Sequence, residues 1–267
     1  MLIFIFVACS AEQKTDSAEQ LSDVPPRQFS WELAFEVAER PYDLAVHPDG
    51  RIFCSAQGGS RIYHWDPQTD VKSPINADFD EALALKFAGE TMYYTTSDNG
   101  VTGALLKFDG NESSTIASQA SNGTLFRWPM DLLHTPNGEW LLADYNAGVI
   151  FSVLENGQTT VHSSGSTTPE TLAWADGFLY IGGEDGIWKK QWPDGEPEQL
   201  DSRSTYGLIN INGTIWATNS TDGVFPIGDV GSEQQDIARP SSPIYTENVL
   251  YVADRVGQGV WKTSMEE

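Results

Sequence analysis

Four acidic residues stand at comparable places in a chain that repeats a short sequence pattern. Each begins an apolar segment, and the four are Asp43, Glu81, Asp131 and Glu170. Carboxylates that are held around one axis repel one another, so the arrangement favours a shared proton or a bound cation. A hard divalent ion such as Ca²⁺ prefers oxygen ligands of this kind. If the four segments converge, the pattern predicts a divalent metal site.

The strand alternation of side chains limits this prediction. The two glutamates are one step out of phase with the two aspartates, so the two pairs are expected to face different sides of their strands. We therefore expect at most one pair, Glu81 with Glu170, to line a common channel. In the alternative interpretation, the acids cap turns or pair with the nearby Arg40, Arg127 or Arg239.

Large side chains stand beside the same segment starts. They are Tyr42, Trp128, Met130 and Tyr206. Aromatic side chains at a rim provide contact area at a small cost in side-chain entropy, so they predict a surface that binds a protein or a small molecule. Packing between neighbouring structural units explains these residues equally well.

The elements that must position these residues form a sixfold repeat. A pair of apolar residues, the second of which is usually aromatic, recurs along the chain. The second residues of successive pairs are thirty-six to forty-four positions apart. The pairs are Ile62-Tyr63, Leu105-Leu106, Val149-Ile150, Ile187-Trp188, Val224-Phe225 and Val260-Trp261. About forty residues per repeat is the length of one four-stranded β-propeller blade. The sequence predicts an all-β, six-bladed β-propeller.

Each repeat has the same internal order of strands and turns. An innermost strand is followed by a tight turn such as Asp176-Gly177 or Asn212-Gly213, which tolerates positive φ in a hairpin. The second strand is a near-continuous apolar run, such as Trp140-Leu141-Leu142, which is typical of strands covered on both faces. The third strand carries the recurring pair, and a polar fourth strand lies on the rim.

The two ends of the repeat region complement each other. The last repeat ends soon after its third strand, and an orphan strand precedes the first repeat, with Phe29, Trp31, Leu33, Phe35 and Val37 alternating with mostly polar residues. Placed beside Val260-Trp261, this strand completes the sixth blade and removes two open sheet edges. We predict that the N-terminal strand closes the ring.

The repeat carries Ala143-Asp144 and Val252-Ala253-Asp254 directly after second strands. From residue 29 onward the pattern resembles the six-bladed superfamily that includes the senescence-marker, gluconolactonase and NHL-repeat propellers. This resemblance implies the propeller fold. It is specific for fold and weak for function.

The resemblance also implies a site at the mouth of the channel. Gluconolactonase-type enzymes bind a divalent metal there through a Glu-Gly-Pro motif and through Asn-Gly-Leu or Asp-Gly-Met motifs. Glu81 and Glu170 align with the ligand place of those motifs, and the two aspartates are shifted by one. Ala82 and Thr171 replace the glycine that follows the ligand, and the other two motifs do not occur.

The first residues predict export. Phe6-Val7-Ala8-Cys9 follows an apolar run and resembles the bacterial lipobox, in which the cysteine is acylated and becomes the mature N-terminus. Residues 1–8 are then a lipoprotein signal peptide, residues 9–28 a flexible tether and residues 29–267 the propeller. Ser10 resembles the pattern of lipoproteins that move to the outer membrane, so we expect a membrane-anchored protein in the periplasm or at the cell surface.

Composition argues against polyanionic partners. The 267 residues carry a formal net charge of −23, which argues against binding nucleic acid or anionic lipid headgroups. The sequence lacks the Gly-x-Ser-x-Gly, His-Glu-x-x-His and Cys-x-x-Cys signatures of common enzymes and metal sites.

Two functions fit these features. We favour a monomeric, lipid-anchored propeller that binds a partner protein or a small ligand without catalysis. The alternative is a metal-dependent lactonase or esterase of the gluconolactonase type, in which a divalent cation such as Ca²⁺ polarises an ester carbonyl or activates water.

Overall fold

The structure is a computed structural model that describes residues 29–58, 61–75, 79, 81–228, 237–257 and 259–265. Within them the chain forms twenty-three β-strands in six antiparallel sheets. The predicted signal peptide and tether lie outside the described residues. In the ranges given, no helix has the length and apolar character needed to cross a membrane.

Each sheet is one blade of a six-bladed β-propeller, which confirms the predicted fold. From the channel outward, the first blade contains β2 (Arg40–Val46), β3 (Ile52–Gln57), β4 (Arg61–Asp66) and β5 (Val71–Pro74), and the second contains β6 (Ala82–Ala88), β7 (Thr91–Asp98), β8 (Thr102–Phe108) and β9 (Ser113–Ala117). The third contains β10 (Pro129–His134), β11 (Trp140–Asp144), β12 (Val149–Val153) and β13 (Thr159–Ser163), and the fourth contains β14 (Pro169–Ala175), β15 (Phe178–Gly183), β16 (Gly186–Gln191) and β17 (Glu198–Asp201). The fifth contains β18 (Gly207–Ile211), β19 (Thr214–Asn219) and β20 (Gly223–Pro226), and the sixth contains β21 (Pro240–Thr246), β22 (Val249–Asp254), β23 (Gly259–Ser264) and β1 (Glu32–Glu36).

Three strands of the fifth blade lie within the described residues, and its predicted fourth strand stays a prediction. The segment that follows β20 includes residues 229–236, which lie outside them. The innermost strands β2, β6, β10, β14, β18 and β21 contact one another in a closed ring around the channel.

Local sequence explains the blades. The second strands are apolar because blades cover them on both faces, and every residue of β11 is buried. The hairpin turns at Asp176-Gly177 and Asn212-Gly213 have positive φ at both residues, as the residue types predict.

The N-terminal strand closes the ring, as predicted. β1 pairs antiparallel with β23, with Leu33 opposite Trp261 and Phe35 opposite Val260. The ring of Phe35 is buried and stacks on Trp65 of the first blade at a centroid distance of 5.2 Å. The strand therefore covers the open edge of the last blade and joins it to the first.

Candidate functional site

The inner strands carry β-bulges at the predicted acidic positions. The pairing register shifts between Pro41 and Leu44 in β2, and between Pro129 and Asp131 in β10. A similar shift follows Pro169 in β14. A bulge adds a residue that interrupts the alternation of side chains. Residues that an ideal strand would point to opposite faces can then face the same channel.

The innermost strands have one edge without a neighbour in their own sheet, and the two aspartates accept hydrogen bonds from backbone N–H groups of such strands. Asp43 Oδ2 accepts from the N–H of Leu85 on the next blade at 2.7 Å. Asp131 Oδ2 accepts from the N–H of Leu172, also on the next blade, at 2.7 Å. These bonds link neighbouring inner strands, so both carboxylates hold the ring together in addition to facing the channel.

Lys86 lies between the two aspartates. Its Nζ donates to the Oδ2 and Oδ1 atoms of Asp43 at 3.0 and 3.2 Å and lies 3.8 Å from Asp131 Oδ1. Burial acts to lower the pKa of Lys86, but the neighbouring carboxylates outweigh it and raise that pKa. Lys86 therefore stays charged and neutralises the pair in part.

Glu170 has a cationic partner on the sixth blade. The guanidinium of Arg255, directly after β22, donates from Nη1 to Glu170 Oε1 at 2.7 Å. The same guanidinium lies over the ring of Tyr42 at 4.3 Å from its centroid. Burial raises the pKa of the Tyr42 hydroxyl, so it stays protonated at neutral pH.

These groups line one cavity of about 310 Å³ in the central channel. Near the first residues of the inner strands its lining is almost fully buried, with Tyr42 and Asp43 each 3% exposed and Glu170 4% exposed. Near the last residues of the strands, lining side chains such as Leu133 and Trp174 are only half-buried. This gradient indicates that the cavity opens at the end of the inner strands. The Arg255–Tyr42–Glu170 group closes its other end.

The structure corrects which acids share the channel. Asp43, Asp131 and Glu170 line one cavity, whereas the expectation was that Glu81 and Glu170 would do so alone. The bulges are the reason, because they bring aspartates and a glutamate to the same side. Glu81 precedes β6 with a φ of 44° and lies outside this lining.

The expected equivalence of Glu81 and Glu170 is wrong by two residues. The N–H groups of Leu85 and Leu172 make the same bond to an aspartate, so these two residues are equivalent. Glu170 lies two residues before Leu172, so its equivalent in the second blade is Leu83, which lies two residues before Leu85.

The large side chains divide into two groups. Tyr42, Met130 and Tyr206 line the cavity, and Tyr206 carries the guanidinium of Arg239 over its ring at 4.4 Å. Trp128 lies outside the lining and packs at the edge of the Tyr42–Leu83–Met130 cluster, as the alternative interpretation held. The prediction that these residues bind a ligand stays a prediction.

Buried aspartates at the ends of the second strands position the segments around the site. Asp144 accepts hydrogen bonds from the N–H groups of Arg127 at 2.7 Å and Trp128 at 3.0 Å. Asp254 accepts similarly from Arg239 at 3.1 Å and Val256 at 3.0 Å. The Ala-Asp pattern of the repeat thus fixes the segment before an inner strand to the turn after the second strand.

The donor set does not fit a divalent cation. Asp43 and Asp131 are bound by backbone N–H groups and lie beside Lys86, and Glu170 is bound by Arg255. Among the described residues, no three His, Cys, Asp or Glu side chains are grouped so that they could hold a metal ion. The three cavity acids do pair with basic residues, as the alternative held, but their ion-pair partners are Lys86 and Arg255 and not the three arginines named from sequence.

Sequence reasoning missed both cationic partners. Lys86 follows Leu83-Ala84-Leu85 inside an innermost strand, where a lysine is rarely buried without a carboxylate partner. Arg255 directly follows the Val252-Ala253-Asp254 pattern. The chain has only fifteen Lys and Arg residues, so a basic residue at either position was a sign of a nearby carboxylate partner.

Comparisons with known proteins identify the class of fold. No family model matches the chain, and no curated protein matches it. Among solved structures, a gluconolactonase from Xanthomonas campestris is 12% identical, with a TM-score of 0.72 and coverage of 88% of this chain and 89% of that one. A luciferin-regenerating enzyme is 11% identical, with a TM-score of 0.69 and coverage of 89% and 95%.

Virginiamycin B lyase from Staphylococcus aureus is a third relative in fold, at 10% identity and a TM-score of 0.64, with coverage of 90% of this chain and 100% of that one. The chain is therefore a six-bladed β-propeller of the architecture shared by gluconolactonase-like enzymes and virginiamycin B lyases. Sequence identities of 10–12% show that the fold is shared and do not show that the function is shared.

Proposed function

We propose that this chain is an exported β-propeller that binds a small ligand in its central-channel cavity without catalysing a reaction. The hydroxyl of Tyr42 carries the proposal. Tyr42 lines the cavity, is 3% exposed, and has no hydrogen-bond partner for its hydroxyl among the described residues. Buried polar atoms almost always have a partner, and leaving one unsatisfied costs about 1–3 kcal/mol. A ligand in the cavity supplies that partner.

The cavity supports binding in two further ways. Its volume of about 310 Å³ falls at the lower end of the range for small-molecule sites. The Nε of Arg255 is a second buried donor without a partner in the described part of the chain. The cavity carboxylates already accept bonds from cations and backbone N–H groups, so they are placed for positioning and not as free general bases.

A metal-dependent lactonase is the second candidate, and the fold it shares with a gluconolactonase favours it. Such an enzyme needs a cation held by carboxylates, and here Lys86 and Arg255 already neutralise the carboxylates. The cavity residues therefore do not support a metal-dependent reaction.

A thermal-shift screen tests the binding function. The panel contains small cationic, neutral and anionic compounds, and the proteins are wild type, Leu133→Trp and Leu154→Trp. Leu133 lines the cavity, whereas Leu154 is an exposed turn residue that accepts the same added bulk outside it. We expect at least one compound to raise the Tm of wild type and Leu154→Trp but not of Leu133→Trp. No shift in wild type, or an equal shift in Leu133→Trp, would overturn the proposal.

A calcium titration in the same assay separates the two candidates. We expect the Tm of wild type to be independent of calcium, since mass action stabilises only a protein that binds the ion. A rise with calcium concentration that is lost in Asp131→Asn/Glu170→Gln, together with calcium-dependent hydrolysis of an added lactone, would support the lactonase instead.

We further propose that Cys9 is acylated and that residues 1–8 are removed, which anchors the propeller to a membrane outside the cytoplasm. Acyl chains contribute about 0.8 kcal/mol per buried CH₂, so more than one chain holds a protein firmly. In a bacterial host, mass spectrometry is expected to show a lipid-modified N-terminal cysteine, and Cys9→Ser is expected to move the protein to the soluble fraction. An intact Met1 on wild type would contradict this proposal.

A further inference from the structure

The charges that line the channel cavity do not balance. Three carboxylates, those of Asp43, Asp131 and Glu170, face two cations, Lys86 and Arg255. Glu170 pairs with Arg255 at 2.7 Å, and Asp43 is the nearer partner of Lys86 at 3.0 Å. Asp131, at 3.8 Å from Lys86, is left with the weakest compensation. One negative charge in a cavity that is open at one end therefore lacks a full counter-charge.

Asp131 is also the most accessible of the three acids. Its side chain is 14% exposed, against 4% for Asp43 and 3% for Glu170. A ligand that enters from the open end can therefore reach Asp131 before it reaches the other two.

The unpartnered hydroxyl of Tyr42 is an independent sign of a missing ligand. Tyr42 lines the same cavity and is only 3% exposed, and its hydroxyl has no hydrogen-bond partner among the described residues. The oxygen of a phenol can accept a hydrogen bond from a ligand. Burial is the main cause of the raised pKa of Tyr42; Arg255 opposes the rise, and Glu170, Asp43 and Asp131 add to it. The hydroxyl therefore stays protonated beside the charged groups of the cavity.

The open half of the cavity is mostly apolar. Its polar residue, Asn210, already donates to the carbonyl of Trp174 at 2.9 Å and accepts from the N–H of Gly213 at 2.9 Å. Leu133, Trp174, Ile209 and Tyr245 line this half and are half-buried. Among the described residues, no Lys or Arg side chain lies over the ring of Trp174 or Tyr245. The rings of Tyr42 and Tyr206, in contrast, are each covered by an arginine. Such walls fit a hydrocarbon or aromatic body and attract a cation through their ring faces.

We propose that the cavity binds a small organic monocation, with its ammonium group beside Asp131 and its apolar body against Trp174 and Tyr245. This inference rests on the proposed binding function and names the ligand class. A single positive charge matches the single uncompensated carboxylate. The apolar walls supply none of the six to eight oxygen ligands that calcium takes, so the same cavity disfavours that ion.

The test compares three probes of similar shape, namely phenylethylamine, phenylethanol and phenylacetate. Isothermal titration at pH 7 is expected to show the amine binding about tenfold or more tightly than the alcohol, and the carboxylate not binding. In Asp131→Asn the preference for the amine is expected to fall to near unity, while Glu155→Gln keeps it. Glu155 is an exposed acid outside the cavity and controls for the loss of one negative charge.

A pH series on wild type keeps the proposal testable if Asp131→Asn fails to fold. Burial raises the pKa of Asp131 to about 6, with Lys86 opposing the shift and Asp43 adding to it. Below that pH the carboxyl is neutral, so the amine is expected to bind up to about tenfold more weakly at pH 5 than at pH 7. The affinity of the alcohol is expected to stay constant.

The possible outcomes separate this inference from the function on which it rests. A neutral or anionic compound that binds wild type but not Leu133→Trp, with no preference for the amine, would overturn the cation proposal and leave the binding site intact. An unchanged amine preference in folded Asp131→Asn, or a flat pH profile, would also overturn it. Binding by no probe and by no compound of the wider panel would remove both.

Discussion

Deletion of residues 29–37 is expected to make the protein aggregate, or to lower its free energy of unfolding by more than about 5 kcal/mol. The deletion removes β1, which pairs along β23, and leaves the backbone N–H and C=O groups of that edge without partners. It also uncovers Trp65, on which Phe35 stacks, and removes the buried Val37. Differential scanning calorimetry should show a Tm lower by about 10 °C or more in any soluble fraction.

Two controls separate ring closure from a general effect of shortening the chain. Deletion of residues 11–23, from the predicted tether, should leave the Tm unchanged. Within β1, Phe35→Ala should cost about 3–5 kcal/mol, whereas Leu33→Ala, at a residue 42% exposed, should have a small effect. A fully soluble deletion variant with the Tm of wild type would contradict the closure.

Lys86→Met is expected to lower the free energy of unfolding by about 3–5 kcal/mol, although methionine has a similar shape. The ammonium of Lys86 bridges Asp43 and Asp131, and its loss leaves two carboxylates near each other without a cation. Chemical denaturation at pH 7 measures the effect. The matched control is Lys107→Met, which breaks an exposed ion pair with Glu155 at 3.2 Å and should cost less than about 1 kcal/mol.

Acid should restore part of the stability that Lys86→Met loses. Lys86 opposes the raised pKa of Asp131, so without the ammonium the folded-state pKa of Asp131 rises further above that of the unfolded chain. A carboxyl with a raised folded-state pKa favours the folded state below its unfolded pKa, and this contribution is lost as the pH rises through the folded value. The deficit relative to wild type should therefore shrink between pH 7 and pH 5. A deficit that is constant with pH would show that lost packing, and not charge, causes it.

The fold was predictable from the sequence because the information for it is local and repeated. The spacing of apolar pairs such as Ile187-Trp188 and the turn at Asn212-Gly213 each report on a few neighbouring residues. Six copies of that local pattern, together with the orphan strand around Phe35, define the propeller and its closure. The prediction of a fourth strand in the fifth blade stays a prediction, because residues 229–236 lie outside the described part.

The candidate site was predictable only in part. Asp43, Asp131 and Glu170 were found from their place in the repeat, and the structure brings them to one cavity. Their phase was misjudged, because a bulge inserts a residue without leaving a clear mark in the apolar pattern. The same limitation made Glu81 look equivalent to Glu170.

The partners of these acids were decided by the tertiary structure alone. Lys86 of the second blade reaches Asp43 of the first and approaches Asp131 of the third, and Arg255 of the sixth blade reaches Glu170 of the fourth. These partners are forty-three, forty-five and eighty-five positions apart in the chain, and they become neighbours because six strands surround one axis. The sequence alone determined the blades and the kind of charge at the channel. Closure of the ring decided which charges neutralise one another, because electrostatic energy depends on distances across the axis and not along the chain.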